Sequence, residues 1–189
     1  FEWKSSELNV SKSLKNILDL ANRSAAKFLF ISPLYVLSNS NFSTTTNNNQ
    51  EFDFKQLYKF SEALVLEHHK SNATNCRIVR LPFVYGPNIS FFSSGALGSL
   101  FNDLINNRDL IIYGDENRHE FYIHVNDAVL GVLKSLFSPE SNGKVYNLIR
   151  DDSHKVLSTS FLIKSLSNRI TDIDFKNSAV DFIDFKFNI

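Results

Sequence analysis

Residues 77–87 read Arg-Ile-Val-Arg-Leu-Pro-Phe-Val-Tyr-Gly-Pro, a short apolar run followed by a break in the chain. The run Arg77–Leu81 is typical of a buried strand, and Tyr85-Gly86-Pro87 is typical of a turn. Upstream, Lys27–Ser32 is a second, continuously apolar run of the kind that parallel sheets bury. Between these runs, residues 54–70 carry apolar side chains at helical spacing. This order of strand, helix and strand predicts an α/β fold.

The alternation of helices and strands continues on both sides of residues 27–87. We expect helices at 6–21, 98–105, 126–136 and 158–166, and strands at 110–113, 120–125 and 144–148. Residues 38–50 are rich in Ser, Asn and Thr, which predicts a solvated loop. The tail to residue 189 is rich in Phe and alternates only weakly.

Composition excludes several classes of protein. The 189 residues contain 20 Lys plus Arg and 20 Asp plus Glu, and this neutral balance argues against a nucleic-acid partner. The single cysteine, Cys76, excludes an internal disulfide and favours a reducing intracellular compartment, either cytoplasm or an organelle matrix. No apolar run approaches the roughly 20 residues of a membrane helix, so we expect no transmembrane segment. The chain contains no Met, so we expect it to be part of a longer product.

Four short stretches carry a family resemblance by their order and spacing. They are Asn9-Val10-Ser11 with Ile17-Leu18, residues 80–87, residues 112–127 around Tyr113-Gly114-Asp115 and Arg118, and Val145-Tyr146-Asn147. From Leu8 to Leu166 the chain resembles an extended short-chain dehydrogenase/reductase, the class of NAD-dependent sugar-nucleotide epimerases and dehydratases. The resemblance implies a partial Rossmann-like parallel sheet with small C-terminal substrate-domain elements. It makes 1–88 the second half of the dinucleotide-binding domain and 89–189 a mixed substrate-type region whose strands return to the main sheet.

In that family a Tyr-x-x-x-Lys pair moves a proton while NAD takes a hydride. The spacing of four puts both side chains on one helix face, where the ammonium lowers the pKa of the phenol. The segment from Glu62 to Glu67 matches the helix that follows this pair and sets the register. The tyrosine position is then Phe54 and the lysine position is Tyr58. No tyrosine of this chain is followed four residues later by lysine.

The family's catalytic Ser or Thr is missing in the same way. The segment Ser32–Ser38 matches the strand end that carries this hydroxyl, and the hydroxyl position is Pro33. Ser32 is adjacent, but neighbouring strand side chains point to opposite faces, so we expect it to point elsewhere. The position of an asparagine that contacts the sugar nucleotide is Phe83. Pro33, Phe54 and Tyr58 together predict a degenerate active site with no catalytic residue.

The sequence contains no recognisable dinucleotide-binding motif. The glycine fingerprint of a dinucleotide fold brings backbone close to the pyrophosphate, and none of the six glycines forms G-x-G-x-x-G. The resemblance therefore implies NAD or NADP only for a more complete protein, and we expect this chain alone to bind neither.

Three residues remain as candidate substrate contacts: Arg118, Tyr85 and Asn88. Arg118 matches the arginine that pairs with the substrate diphosphate, a task that suits a planar guanidinium. A surface arginine bonding Asp115 or Glu116 is the equally open alternative. We expect no metal site, because adjacent histidines on a helix diverge by about 100° and no Cys or carboxylate cluster accompanies the five histidines.

Three functional hypotheses follow from the sequence. The first is a pseudoenzyme that serves as a structural or interaction subunit, with protein partners or as a homodimer. The second is a working NAD-dependent nucleotide-sugar epimerase or dehydratase of which this chain is a fragment. The third is a regulatory module that binds NAD(P) or a nucleotide sugar without turnover.

Overall fold

The structure is a computed structural model that describes residues 2–38, 43–45, 51–88, 94–149, 152–167 and 169–177. The helices of this part are α1 (Glu2–Arg23), α2 (Phe54–Asn72), α3 (Gly95–Ile105), α4 (Val125–Phe137) and α5 (Val156–Ser167). The strands are β1 (Phe28–Pro33), β2 (Ser43–Thr45), β3 (Glu51–Asp53), β4 (Cys76–Leu81), β5 (Phe83–Tyr85), β6 (Leu110–Tyr113), β7 (His119–Glu120), β8 (Tyr122–His124), β9 (Val145–Asn147), β10 (His154–Lys155) and β11 (Ile173–Lys176). The predicted α/β class is confirmed.

The first of two compact units comprises residues 1–36, 44–81 and 129–148. Its centre is a three-stranded parallel sheet in the order β1-β4-β9, with Phe28 opposite Cys76 and Ile78 opposite Val145. Parallel strands need helical crossovers that cover their faces, which explains why β1 and β4 are mostly apolar. The core of the unit is formed by α1, α2 and β4, through Leu14, Leu18, Leu64, Val65, Cys76 and Ile78.

Buried polar groups tie these elements together. The Arg77 side chain is fully buried and donates to the Phe28 carbonyl at 3.3 Å and to the Ser141 hydroxyl at 3.2 Å. It therefore links β1, β4 and the turn before β9, and burial lowers its pKa. The His68 ring joins α2 to α1 through Asp19, at 2.9 Å, and to the hydroxyl of Thr74 at 2.7 Å.

The second unit comprises residues 37–43, 82–128 and 149–189. Three strand pairs form within its described part: β5 with β8 and β6 with β11, both parallel, and β7 with β10, antiparallel. Helices α3 and α5 enclose its core, which contains Ala96, Leu100, Leu110, Ile112, Val156 and Ile163. The domain boundary placed at residue 88 stays a prediction.

Several elements differ from the sequence-based expectation. The chain resumes a strand, β5, at Phe83 before the turn at Gly86, because a parallel partner, β8, is supplied from far along the sequence. The tail contributes β11, which pairs with β6. Within the predicted loop at 38–50, residues 43–45 form β2 paired with β3, and residues 39–42 and 46–50 lie outside the described residues. Among the described helices, none has the length and apolarity that crossing a membrane requires.

Candidate functional site

The helix that carries the Phe54 and Tyr58 positions is held against the sheet by a buried ion pair. Arg80 of β4 donates to Glu62 of α2 through Nε at 2.9 Å and Nη2 at 2.5 Å, a two-pronged geometry typical of strong Arg–carboxylate pairs. The same guanidinium reaches Asn147 of β9 at 3.5 Å. The ion pair restrains the rotation of α2 about its own axis. It therefore helps to decide which side chains of α2 face β1.

Around Tyr58 the structure gathers aromatic rings. The Tyr58 ring lies 6.4 Å from the ring of Phe30 in β1 and 6.2 Å, edge-on, from that of Tyr35 in the turn after β1. These separations are typical of packed aromatic pairs. Phe54 lies one helical turn earlier on the same face, and both Phe54 and Tyr58 are half-buried. Tyr58, which the sequence pattern places at the position of a lysine, therefore makes aromatic contacts in this structure.

The end of β1 carries Pro33, which the sequence pattern places at the position of a catalytic hydroxyl. Pro33 is half-buried, and its ring carries no proton that could be transferred. Ser32 is fully buried, and within the described part of the chain its hydroxyl has no hydrogen-bond partner. Ile31, on the opposite strand face, is 50% exposed. The Ser32 hydroxyl thus faces the interior of the first unit, on the side of Phe30.

A second polar constellation lies within the other unit, around Arg118. Arg118 and Glu120 are each 3% exposed, and Arg118 Nε donates to Glu120 Oε1 at 3.1 Å. Arg118 Nη1 donates to the carbonyls of Tyr113, at 2.6 Å, and Asp115, at 3.1 Å. Arg118 is therefore a buried side chain and not a surface one, and it bonds the Glu120 carboxylate and the backbone carbonyl of Asp115. Its substrate-binding role stays a prediction.

Glu120 is the residue that sequence reasoning missed. Its Oε2 accepts the N–H of Ala96 at 2.9 Å and the hydroxyl of Tyr122 at 2.6 Å. Burial first, and then the Glu120 charge, raise the pKa of Tyr122 far above its ordinary range. The signal in the sequence was the spacing of two between Arg118 and Glu120, which places both side chains on one face of an extended segment.

Tyr85 and Asn88, the other two candidate substrate contacts, lie on the surface of the second unit. The Tyr85 ring meets His124 edge-on at 5.3 Å, across the β5–β8 pair. Gly86 has φ +138°, and a Cβ there would lie 2.7 Å from Val125 Cγ1, so the turn requires glycine. Asn88 is exposed, with φ +63° in the left-handed region that Asn tolerates. Their substrate-binding role also stays a prediction.

The one described helix that begins with glycine is where the needs of a dinucleotide can be compared with the described residues. A pyrophosphate needs free backbone N–H groups at a glycine-rich helix entry. Of the described helices, α3 begins with glycine, but its Ala96 N–H is taken by Glu120. No group of three or more His, Cys, Asp or Glu side chains in the described part could hold a metal ion.

These features define an α/β protein with a three-stranded parallel sheet in its first unit and a second unit of about the same size. The chain belongs to the NAD dependent epimerase/dehydratase family, whose model matches residues 8–148.

The chain is also similar to curated relatives in sequence and to solved structures in fold. UDP-glucuronic acid decarboxylase 1 of Arabidopsis thaliana is 24% identical over 186 residues, which are 94% of this chain and 42% of that protein. The fold is similar to UDP-N-acetylglucosamine 4-epimerase of Methanobrevibacter ruminantium, with a TM-score of 0.77 and 16% identity over 92% of this chain and 57% of that one. It is also similar to dTDP-glucose 4,6-dehydratase of Bacillus anthracis in complex with NAD, with a TM-score of 0.72 and 16% identity over 89% and 55%. The chain thus spans about two fifths of the curated relatives it matches.

Proposed function

We propose that this chain is a catalytically inactive member of the epimerase/dehydratase family that serves as a structural or interaction subunit. One observation carries the proposal: the position of the family's lysine is Tyr58, whose ring packs on Phe30 and Tyr35. A side chain in these contacts supports the fold of the first unit and brings no cation to a neighbouring group.

The chemistry of the three substituted positions points the same way. Proton abstraction from a sugar hydroxyl needs a group that can accept the proton, and the phenyl ring of Phe54 cannot. Even a phenol at that position would lack the nearby ammonium that lowers its pKa, because Tyr58 is uncharged when protonated. Pro33 cannot donate a hydrogen bond, and the neighbouring Ser32 hydroxyl is fully buried. Each substitution removes a different part of the reaction.

A role in an assembly is supported by the surface of α4. Val129, Leu130, Leu133 and Phe137 recur at helical spacing and are between 45% and 62% exposed. Contiguous exposed apolar side chains of this kind mark interaction surfaces more often than scattered single ones do. We propose a protein partner or a second copy of the chain in a reducing intracellular compartment, where the buried free thiol of Cys76 persists.

The competing hypothesis is a working nucleotide-sugar enzyme of which this chain is one part. It is favoured by the coverage of the relatives, since this chain covers only 55% and 57% of the two matched structures. NAD or NADP would then be held by residues outside those described here. A binding module for NAD(P) or a nucleotide sugar, without turnover, stands between the two hypotheses.

An activity assay and a measurement of the mass of the purified protein separate the inactive subunit from the working enzyme. The full-length protein is purified from its natural source together with any partners that copurify. It is then incubated with NAD and with UDP-, GDP- and dTDP-sugars. We expect no product beyond that of a mock purification, while a working family enzyme turns over in parallel. Native mass spectrometry should show an assembly heavier than one copy. Turnover would overturn the loss of catalysis, and a lone copy at micromolar concentration would overturn the subunit role.

A further inference from the structure

Helix α4 carries apolar side chains on its exposed side as well as on its buried side. Ala128 is buried, while about half of each of four other apolar side chains is exposed, between 45% and 62%. We call these four residues the α4 stripe: Val129, Leu130, Leu133 and Phe137. A surface helix of a globular protein normally has polar side chains opposite its buried side. The α4 stripe therefore has the composition of a contact surface.

The α4 stripe forms a continuous ridge along the helix. Val129, Leu133 and Phe137 follow one another at intervals of four residues, which places them one above the other. Leu130 lies beside them, so the stripe spans about 100° of the helix surface. Ridges at this spacing pack into the grooves of a second helix. The shape of the stripe is thus suited to contact with another helix.

Two opposite charges border this ridge on one side, next to Leu130. Asp127 and Lys134 are both exposed, and their spacing of seven residues, about two helical turns, places them on the same border of the stripe. Asp127 lies in the first turn of α4 and Lys134 in its last turn. Within the described part of the chain, neither forms an ion pair. Both charges therefore remain available to a partner.

We propose that the α4 stripe binds the α4 stripe of a second copy of the chain, with the two helices antiparallel about a two-fold axis. The inference deepens the proposed function, on which it rests, by naming the partner. A two-fold contact uses the same surface on both copies, so that surface must be complementary to itself. In the antiparallel pair, Asp127 of one copy faces Lys134 of the other, and the contact is repeated across the axis. The opposite charges on one border supply this complementarity.

The length of the helix agrees with this register. Asp127 opposite Lys134 puts the two-fold axis beside Leu130 and Gly131, at the midpoint of α4. The two helices then overlap along their whole length, and Leu130 lies at the centre of the contact, where an interface is most fully desolvated. A parallel pair would place the charged border of one helix against the uncharged border of the other. The charges therefore favour the antiparallel arrangement.

The first experiment reverses the two charges separately in the full-length protein. Analytical ultracentrifugation measures the dissociation constant of the dimer for the wild-type protein, Asp127→Lys and Lys134→Asp. Each reversal turns two attractive contacts into repulsive ones, so we expect the dissociation constant to rise about tenfold. An equimolar mixture of the two variants should recover the wild-type affinity, because one copy is then positive at both positions and the other is negative at both. A mixture that associates no better than the separate variants would overturn the inference.

The second experiment places a charge within the ridge itself. Leu133→Glu should raise the dissociation constant about tenfold or more, because it puts a carboxylate into an apolar contact. The matched control is Leu166→Glu on α5, at a side chain that is 73% exposed, and it should leave the dissociation constant unchanged. Thermal melts show which variants fold. If Asp127→Lys does not fold, the comparison of Leu133→Glu with Leu166→Glu decides, and a wild-type affinity of Leu133→Glu would overturn the inference.

The results separate this inference from the proposed function. An assembly with a different protein, or a homodimer that neither charge reversal nor Leu133→Glu weakens, would refute the α4 contact and leave the proposed function standing. A stripe covered by another segment of the full-length protein would likewise show no recovery in the mixture. Turnover of a nucleotide sugar would refute the proposed function whatever the dissociation constant of the dimer.

Discussion

Replacing Glu62 by Ala should destabilise the first unit strongly, because it leaves Arg80 without its carboxylate. The two side chains are 6% and 18% exposed and share two hydrogen bonds, at 2.9 and 2.5 Å. Removing one partner of a buried pair costs about 3–5 kcal/mol. Since Arg80 keeps some contact with water and can still reach Asn147, we expect about 3 kcal/mol for Glu62→Ala. For a chain of this length that corresponds to a fall in melting temperature of roughly 6–12 °C.

A double-mutant cycle measures the coupling between Glu62 and Arg80 directly, whereas a single substitution shows only that the position affects stability. Urea unfolding is measured for Glu62→Ala, Arg80→Ala and the double variant, with the exposed Glu67→Ala as the matched control on the same helix. We expect a coupling free energy of about 2 kcal/mol and a control within about 0.5 kcal/mol of wild type. Additive effects of the two single changes would refute the assignment of Arg80–Glu62 as the tie that sets α2 against the sheet.

Three further predictions concern other buried groups. Gly95→Ala should lower the free energy of unfolding by about 2 kcal/mol or more, because a left-handed backbone disfavours a Cβ and the Cβ would collide with Glu120. Gly131→Ala should lower it less in the same thermal melts, because the Cβ there meets a Leu148 methyl that can move. The folded state raises the pKa of Tyr122, so the unfolded chain loses this proton first and the free energy of unfolding should fall as the pH rises past about 10. In Tyr122→Phe this fall should be smaller when unfolding is measured between about pH 8 and 11. The same pH dependence in the variant and the wild-type protein would contradict the prediction. Burial raises the pKa of the Cys76 thiol, so a disulfide reagent should label it only at the rate of unfolding, and rapid labelling of native protein would contradict its burial.

Much of the first unit could be predicted because its signals are local. The expected helix at 54–70 is α2, Phe54–Asn72, and the expected strand at 77–81 is β4, Cys76–Leu81. Both have continuous or periodic apolar patterns that sequence reasoning detects well. The strands β5 and β11 were missed because each is short and is stabilised by a partner strand that is distant in sequence. The partner of β5 is β8, and the partner of β11 is β6.

For the candidate site, the sequence named residues but could not predict their contacts. The family register predicted Pro33, Phe54 and Tyr58 at the reactive positions from single residues. It could not predict that Tyr58 packs on Tyr35, because that contact depends on how the turn after β1 folds back. Nor did it predict Glu120 as the partner of Arg118, since a spacing of two residues does not by itself show whether the side chains are buried.

The central claim is that the substitutions at Pro33, Phe54 and Tyr58 abolish catalysis. Its most direct test is single-turnover chemistry: the protein with all its native chain and partners is mixed with NAD and a panel of nucleotide sugars, and NADH absorbance and sugar products are followed. The account predicts neither NADH nor a converted sugar above the mock purification. Conversion of any nucleotide sugar by the wild-type protein would contradict it.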